Sequence, residues 1–132
     1  MKLAQLLDAE VHLVCASGRG LIRTWDGKTE EPQAPEFIDF SVLTHTDKNR
    51  WDHSLYQPHV VIVALGTNDF NPSIPTESEY IPPYLTFIDK LNQLYPDANI
   101  ALTAGPMLNN FNKQEKKRAE LERYLSLIKQ QS

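Results

Sequence analysis

Residues 60–70 read VVIVALGTNDF, an apolar run that stops abruptly at Gly66. Unbroken apolarity, rather than alternation, is typical of a central strand in a parallel sheet that is covered on both faces. A glycine at the end of such a strand lets the backbone turn sharply. The stretch therefore predicts a buried strand at 59–65, followed by a turn that carries polar residues at the carboxyl edge of a sheet.

The segments on either side predict strands and helices in alternation. VHLVCAS (11–17) and NIALTAG (99–105) are short apolar runs that end at glycines and predict two more strands. Apolar residues at helical spacing predict three helices: one over 2–9, a second that ends at Pro96, and a third over 116–131. Alternation of this kind indicates parallel strands joined by right-handed crossovers, an α/β layer architecture.

The starts of the two longer helices carry specific signals. Thr76 with Glu79, and Asn112 with Glu115, fit capping boxes, in which side chains at a helix start bond the backbone of each other's residue. The prolines at 82–83 suit a first helical turn, where a missing N–H costs little.

A chain of 132 residues predicts one domain, here 1–132. Within it, residues 24–57 contain Gly27, Pro32 and Pro35 and show no long periodic signal. We interpret this region as an extended connection with one short helix. Connections of that length in compact domains are usually functional loops.

Composition narrows the class of partner. Thirteen Lys and Arg against seventeen Asp and Glu give a net charge of −4, and no basic tract is present to neutralise phosphates, so nucleic acid is not expected as a partner. No apolar stretch approaches the roughly 20 residues that cross a bilayer, and no N-terminal signal pattern is present. We expect a soluble chain with no membrane partner; its compartment stays open, because secreted bacterial proteins often lack disulfides.

Metal sites and cofactors are not predicted. Cys15 is the only cysteine and lies in an apolar run, which favours a small buried side chain. No two His or Cys residues stand at a ligand repeat. The Gly-x-Gly at 18–20 lacks the third glycine of a dinucleotide-binding loop, because Ile22 and Arg23 stand in its place.

The glycines predict where the chemistry lies. Four of the five directly follow predicted strands and so share the carboxyl edge, where ligands bind in open α/β sheets: Gly18, Gly20, Gly66 and Gly105. The Asn68 amide and the Gly18 backbone N–H are suited there to stabilise an oxyanion. A purely turn-forming role for Asn68 fits its spacing equally well. Asp69 would repel an oxyanion and is predicted to accept backbone N–H bonds and hold the turn.

The combination of ASGRGLIRTWDG with VVIVALGTNDF resembles the SGNH, or GDSL-like, hydrolase superfamily, and within it carbohydrate esterase family 2, whose members are acetyl esterases acting on xylan and related polysaccharides. The resemblance implies a three-layer, flavodoxin-like parallel sheet. It also implies a serine nucleophile in a Gly-Asp-Ser block, a histidine base near the C-terminus, and an oxyanion hole that maps onto Gly18 and Asn68.

Two blocks of that pattern are absent, since the sequence contains no Gly-Asp-Ser and no Asp-x-x-His. The family layout places the serine strand before Met1 and the histidine strand after Ser132, so the chain resembles the middle of an SGNH domain. It would then lack a central strand between 11–17 and 60–65. We expect those strands to lose hydrogen-bond partners and the chain to be marginal, to aggregate, to pair the two strands directly, or to self-associate through its edges.

Residues inside the chain are weaker candidates for the missing pair. Ser17 stands at the right edge but belongs to the oxyanion loop by family pattern. His59 opens its strand at the wrong end of the sheet, and His12 lies within a strand. His45 and His53 would reach the edge only if the long connection folded over it.

The remaining candidates concern substrate binding. Aromatic faces commonly bind sugar rings, so Trp25 is the best candidate for a substrate wall, although a Trp that pins a loop to the core is equally compatible, as for Trp51. Arg19 is a second candidate. Fixing the loop to nearby carboxylates is the favoured interpretation of Arg19 and Arg23.

The sequence thus yields three hypotheses. The first is the middle portion of an esterase that removes acetyl groups from polysaccharide or a small ester, inactive alone. The second is a non-catalytic carbohydrate-binding or interaction module. The third is a lipase or thioesterase of the same superfamily.

Overall fold

The computed structural model describes residues 2–42, 50–108 and 116–132. The helices and strands follow one another in the order helix, helix, strand, helix, strand, helix: α1 (Lys2–Leu7), α2 (Ala34–Phe37), β1 (Val60–Val63), α3 (Glu77–Leu94), β2 (Asn99–Leu102) and α4 (Lys117–Lys129). A 3-10 turn, His53–Leu55, precedes β1. The predicted α/β architecture is confirmed from β1 onward.

β1 and β2 form a two-stranded parallel sheet. Val60 pairs with Asn99 and Val63 with Leu102. Parallel strands need a crossover connection, and α3 is that connection. The strands at 59–65 and 99–105 are therefore confirmed, each shorter than predicted, over Val60–Val63 and Asn99–Leu102.

Two long helices supply the core. In α3 the Thr76 side chain and Glu79 form the predicted capping box. The predicted apolar stripe of α4 is also confirmed as buried: Leu121, Tyr124, Leu125 and Ile128. The box predicted at Asn112 and Glu115 lies outside the described residues.

The prediction for Pro82 and Pro83 was wrong in position. The helix begins at Glu77, so both prolines lie inside it, in the second turn. Each removes one backbone N–H that would bond four residues back, which leaves the carbonyls of Ser78 and Glu79 without those donors. Both prolines are exposed, and water can bond those carbonyls.

The predicted strand at 11–17 was wrong. These residues are extended but form no ladder, and most of their side chains are exposed. His12 packs near Trp51, before β1, while the Arg19 carbonyl meets Asn68, after β1. The segment therefore passes β1 in the same direction. Among the described residues no backbone hydrogen bond joins the two, so the expected direct pairing of the two strands does not occur.

Burial differs from the prediction in the same region. Val60 and Ile62 are 54% and 50% exposed, so one face of β1 is open instead of covered. Cys15 is exposed rather than buried. α1 forms as predicted, but none of its residues is buried. Apolar patterns predict burial only where a second layer lies against them, and in the described residues no such layer covers these side chains.

The long connection at 24–57 contains α2 and the 3-10 turn, one helical segment more than predicted. It is fastened to α3 by polar contacts. Lys90 Nζ lies 2.9 Å from Asp39 Oδ2 and donates to the Pro35 carbonyl at 2.6 Å. His53 Nδ1 and the Tyr95 hydroxyl share a hydrogen bond of 2.6 Å. His45 lies outside the described residues.

Across the described parts of the chain, none of the helices is long and apolar enough to cross a membrane.

Gly66 combines a positive φ with close packing around its Cα. Its φ is +119°, and a Cβ there would lie 2.6 Å from Leu121 Cδ2 and 3.0 Å from the Tyr80 hydroxyl. Gly27 also has positive φ, +89°, but a Cβ there would approach only Pro72, at 3.6 Å. The two glycines thus separate backbone strain from steric crowding.

We expect Gly66→Ala to lower the free energy of unfolding by at least about 2 kcal/mol, because strain and overpacking add. Gly27→Ala, the control, carries the strain alone and should cost clearly less. Urea unfolding followed by circular dichroism measures both. Equal losses for the two variants would show that α4 does not crowd Gly66.

Candidate active site

The turn after β1 begins at Gly66 and is closed by backbone hydrogen bonds. Phe70 N donates to the Gly66 carbonyl at 2.9 Å, and Asn71 N donates to the Asn68 carbonyl at 3.2 Å. Phe70 is fully buried and packs edge-on against Tyr80, with ring centroids 5.1 Å apart. The turn is therefore anchored in the core, and Asn68 and Asp69 lie at its head.

Asp69 fastens this turn to the loop after Gly18. Its side chain is completely buried, and Oδ1 accepts from the backbone N–H groups of Leu21 at 2.9 Å, Ile22 at 2.8 Å and Arg23 at 3.3 Å. A Cβ on Gly20 would lie 2.5 Å from both carboxylate oxygens, so only glycine allows this approach. Asp69 accepts backbone N–H bonds as predicted, but from the facing loop instead of its own turn.

Arg23 makes a second connection between the two loops. Its Nε donates to the Asp69 carbonyl at 2.8 Å, and its Nη2 donates to the Ser73 carbonyl at 2.7 Å. The residue fixes the loop, as favoured from the sequence. Its hydrogen-bond partners are two main-chain carbonyls and the Ser73 hydroxyl, however, and not the carboxylates that were expected.

Asn68 points at the Gly18 loop. Its Nδ2 donates to the Arg19 carbonyl at 2.7 Å, and the residue is half-buried. An amide group carries two N–H donors, so this bond leaves one of them for another acceptor. The structure thus brings Asn68 to within one residue of Gly18 along the chain, although the two are 50 positions apart in sequence.

Gly18 adopts a left-handed conformation, with φ +74°. Its carbonyl accepts from Trp25 N at 2.9 Å, and a Cβ at this position would lie 2.8 Å from Trp25 Cδ1. The indole therefore rests directly on Gly18. Trp25 is 59% exposed, so it presents an aromatic surface beside the two loops.

Arg19 forms an ion pair with Glu31 in the long connection. This is the loop-fixing contact favoured from the sequence. Its candidate role in substrate binding stays a prediction.

Three buried titratable groups lie beneath the loops: Asp69, Tyr80 and Tyr84. Burial raises the pKa of the Asp69 carboxyl above its ordinary value, while the bonds from the backbone N–H groups of 21–23 act in the opposite direction. Burial, and then the negative charge of Asp69, raise the pKa of the Tyr80 and Tyr84 hydroxyls. Both phenols are therefore neutral, and Asp69 is an acidic group that acts on both of them.

The other candidates for acid–base chemistry lie elsewhere. His12 packs between Trp51 and Tyr56, and His53 against Tyr95. The His59 carbonyl accepts from Asn99 N at the amino end of the sheet, as expected for a residue that opens its strand. Ser17 is exposed next to Gly18. Within residues 2–42, 50–108 and 116–132, no group of three or more His, Cys, Asp or Glu is arranged to hold a metal ion.

An open groove of about 610 Å³ lies between β2 and α4. Its lining includes Ile100, Leu102, Arg118, Glu122 and Leu125 but neither Gly18 nor Asn68. The groove is therefore separate from the site described above.

Asn71 was missed by sequence reasoning. Its Nδ2 donates to the Trp25 carbonyl at 2.9 Å. The Asn-Pro pair at 71–72 indicates a turn and nothing more, so no sequence signal pointed to this contact.

Comparisons with known proteins agree with one another, although no protein-family model matches the chain. The chain is 44% identical over 131 residues to an acetylxylan esterase / glucomannan deacetylase of Cellvibrio japonicus, covering 99% of this chain and 35% of that protein. A solved structure of a family two carbohydrate esterase from Cellvibrio japonicus is similar, with a TM-score of 0.90 and 45% identity, over 99% of this chain and 38% of that one. A family two carbohydrate esterase from Clostridium thermocellum in complex with cellohexaose is also similar, with a TM-score of 0.77 and 30% identity, over 95% of this chain and 36% of that one.

The chain thus spans about a third of the length of the relatives it matches. The likeness extends over nearly all of its own residues, in sequence and in fold. The α/β arrangement with its short parallel sheet agrees with an incomplete version of their fold. Over nearly all of its own length, the chain resembles family two carbohydrate esterases.

Proposed function

We propose that the chain is the middle portion, one partial domain over 1–132, of an esterase that removes acetyl groups from a polysaccharide. The observation that carries the proposal is the bond from Asn68 Nδ2 to the Arg19 carbonyl, which sets the amide beside Gly18. The names of the relatives support ester hydrolysis on acetylated polysaccharide.

The proposed chemistry is stabilisation of a tetrahedral oxyanion. When a nucleophile attacks an acetyl carbonyl, negative charge develops on its oxygen. The second N–H of the Asn68 amide and the backbone N–H of Gly18 would donate to that oxygen. Asp69 takes no part as a donor, since its carboxylate accepts the N–H groups of Leu21 and Ile22.

The nucleophile and the base lie, in this proposal, outside the 132 residues. A serine nucleophile needs a histidine within hydrogen-bond reach, about 2.6–3.2 Å. His12 and His53 contact Trp51, Tyr56 and Tyr95, and His59 opens β1 at the amino end of the sheet, whereas Ser17 adjoins Gly18. These separations support a chain that is inactive alone.

Trp25 supplies the proposed substrate wall, with Arg19 as a second contact. The indole is exposed and lies against Gly18, so a sugar ring stacked on it would lie next to the oxyanion donors. One similar structure contains cellohexaose, which is a chain of sugars.

The same exposed ring favours the second candidate, a non-catalytic carbohydrate-binding module. It would keep the polysaccharide surface and lack hydrolysis. The third candidate, a lipase or thioesterase, would need an apolar acyl channel. Activity of the full-length protein on esters of increasing acyl length separates this candidate from an acetyl esterase.

We also propose that the isolated chain self-associates through β1. Its exposed edge and its open apolar face offer pairing to a second copy, because unpaired apolar strands recruit further strands.

The first test concerns catalysis. We expect the 132-residue chain to release acetate from p-nitrophenyl acetate no faster than buffer does, because the proposal places both the nucleophile and the base outside these residues. Turnover well above buffer that Asn68→Ala abolishes would contradict this and reveal an internal nucleophile.

In the full-length protein, Asn68→Ala should lower kcat by about 10²–10³, the usual cost of losing one oxyanion donor. Asn92→Ala, on the exposed side of α3, is the matched control and should leave kcat unchanged.

The second test concerns the sugar surface. Isothermal titration with glucomannan should detect binding by the chain, and Trp25→Ala should weaken it by up to about tenfold, because one stacked ring contributes on the order of 0.5–1.5 kcal/mol. Trp51→Ala is the control for loss of an indole away from the site. Equal losses for both variants would exclude Trp25 as the specific wall.

The third test concerns association. Sedimentation of the chain at increasing concentration should show oligomers, and Ile62→Lys should shift them toward monomer, because a charge on an open strand opposes pairing. Leu55→Lys places the same charge at an exposed leucine of the 3-10 turn and should have little effect. A monomer at all concentrations that melts cooperatively would contradict the proposal.

A further inference from the structure

Trp25 is exposed, yet its backbone is held on both sides. Trp25 N donates to the Gly18 carbonyl at 2.9 Å, and the Trp25 carbonyl accepts from Asn71 Nδ2 at 2.9 Å. The preceding residue, Thr24, is buried and bonds Lys28 through its backbone and its hydroxyl. An aromatic side chain on a fixed backbone has only two torsions left to restrict.

The indole is further restricted by the glycine beneath it. A Cβ on residue 18 would lie only 2.8 Å from Trp25 Cδ1, so the absence of a side chain on Gly18 leaves room for the indole. The ring thus fits one hollow on the Gly18 loop. Among the described residues, by contrast, the Trp25 carbonyl is bonded to the neighbouring turn only by Asn71.

Asn71 also belongs to the turn that carries Asn68. Its backbone N–H donates to the Asn68 carbonyl at 3.2 Å, and its own carbonyl accepts from Lys117 Nζ, at the start of α4, at 2.8 Å. Its side chain then reaches across 46 positions of sequence to Trp25. One residue therefore links the aromatic surface, the Asn68 turn and α4.

We propose that Asn71 is a positioning residue that fixes Trp25 relative to Asn68, so that a sugar ring stacked on the indole is held in one register with the oxyanion donors. The inference rests on the function proposed above for Trp25 and Asn68. Asn71 itself does not touch the sugar or the reacting atoms. It acts through the Trp25 carbonyl.

The bond from Asn71 to the Trp25 carbonyl is suited to position the indole more than to stabilise the fold. Asn71 is exposed, so water can replace its amide at the Trp25 carbonyl, and the net worth of such a bond is about 0.5–1.5 kcal/mol. The core beneath, formed by Phe70 and Leu21, does not depend on it. Loss of the bond should therefore release the ring without unfolding the chain.

The experiment uses the 132-residue chain with Trp51→Phe, so that Trp25 is the only tryptophan. Asn71→Asp keeps the shape of the side chain and removes its donor, and Asn71→Ala removes both. Both variants should show greater subnanosecond loss of Trp25 fluorescence anisotropy and about twofold greater quenching by acrylamide. Affinity for glucomannan should fall about three- to tenfold, with the thermal midpoint nearly unchanged.

Asn92→Asp, the same substitution on exposed α3, is the control and should alter none of these quantities. Unchanged anisotropy and quenching in both Asn71 variants would overturn the positioning role, whatever happens to binding. Changed Trp25 dynamics with full glucomannan affinity would overturn the link to the sugar. If the Trp51→Phe parent binds no glucomannan, the proposed function fails, while the anisotropy still decides whether Asn71 positions the ring.

Discussion

The buried carboxylate of Asp69 is the interaction on which the described arrangement depends. Residues 11–17 form no ladder with β1, so no backbone bonds between strands fix the Gly18 loop. Its position is set instead by Asp69, which accepts the N–H groups of three consecutive residues, 21–23. A single acceptor that orients three successive amides fixes both the place and the direction of a loop. The apposition of Gly18 and Asn68 follows from it.

Such a contact constrains the residues around it more than the residues in it. Gly20 has room for no side chain, because a Cβ would lie within 2.5 Å of the carboxylate oxygens. Gly105 is similarly restricted by Thr67, whose Oγ1 would lie 2.7 Å from a Cβ. Leu21, which donates to Asp69, is itself buried in the core. The glycines at this edge are thus required by close approach as well as by turning, and Gly20 and Gly105 by approach alone.

The sequence predicted the parts whose cause is local or repeats along the chain. The capping box at Thr76, the stripe on α4 and the strand before GTND are readable because each is encoded within a few neighbouring residues. The strand at 11–17 was predicted from apolarity, but a strand also needs a neighbour to bond, and no neighbour bonds it among the described residues. The predictions that Cys15 is buried and that both faces of β1 are covered were wrong for the same reason. Asn71 was missed because a contact across 46 positions leaves no trace in its own surroundings.

The polar contacts explain how a site keeps its geometry where the sheet is incomplete. In the sheet order that the family implies, another strand separates 11–17 from β1, so ladder bonds alone would leave the Gly18 loop unplaced in this chain. The bonds from Asp69, Arg23 and Asn68 all lie beyond the carboxyl ends of the strands and need no strand between them. These bonds between the loops therefore fix the relative position of the two proposed oxyanion donors. The relative position of Gly18 and Asn68 therefore does not require a strand between 11–17 and β1.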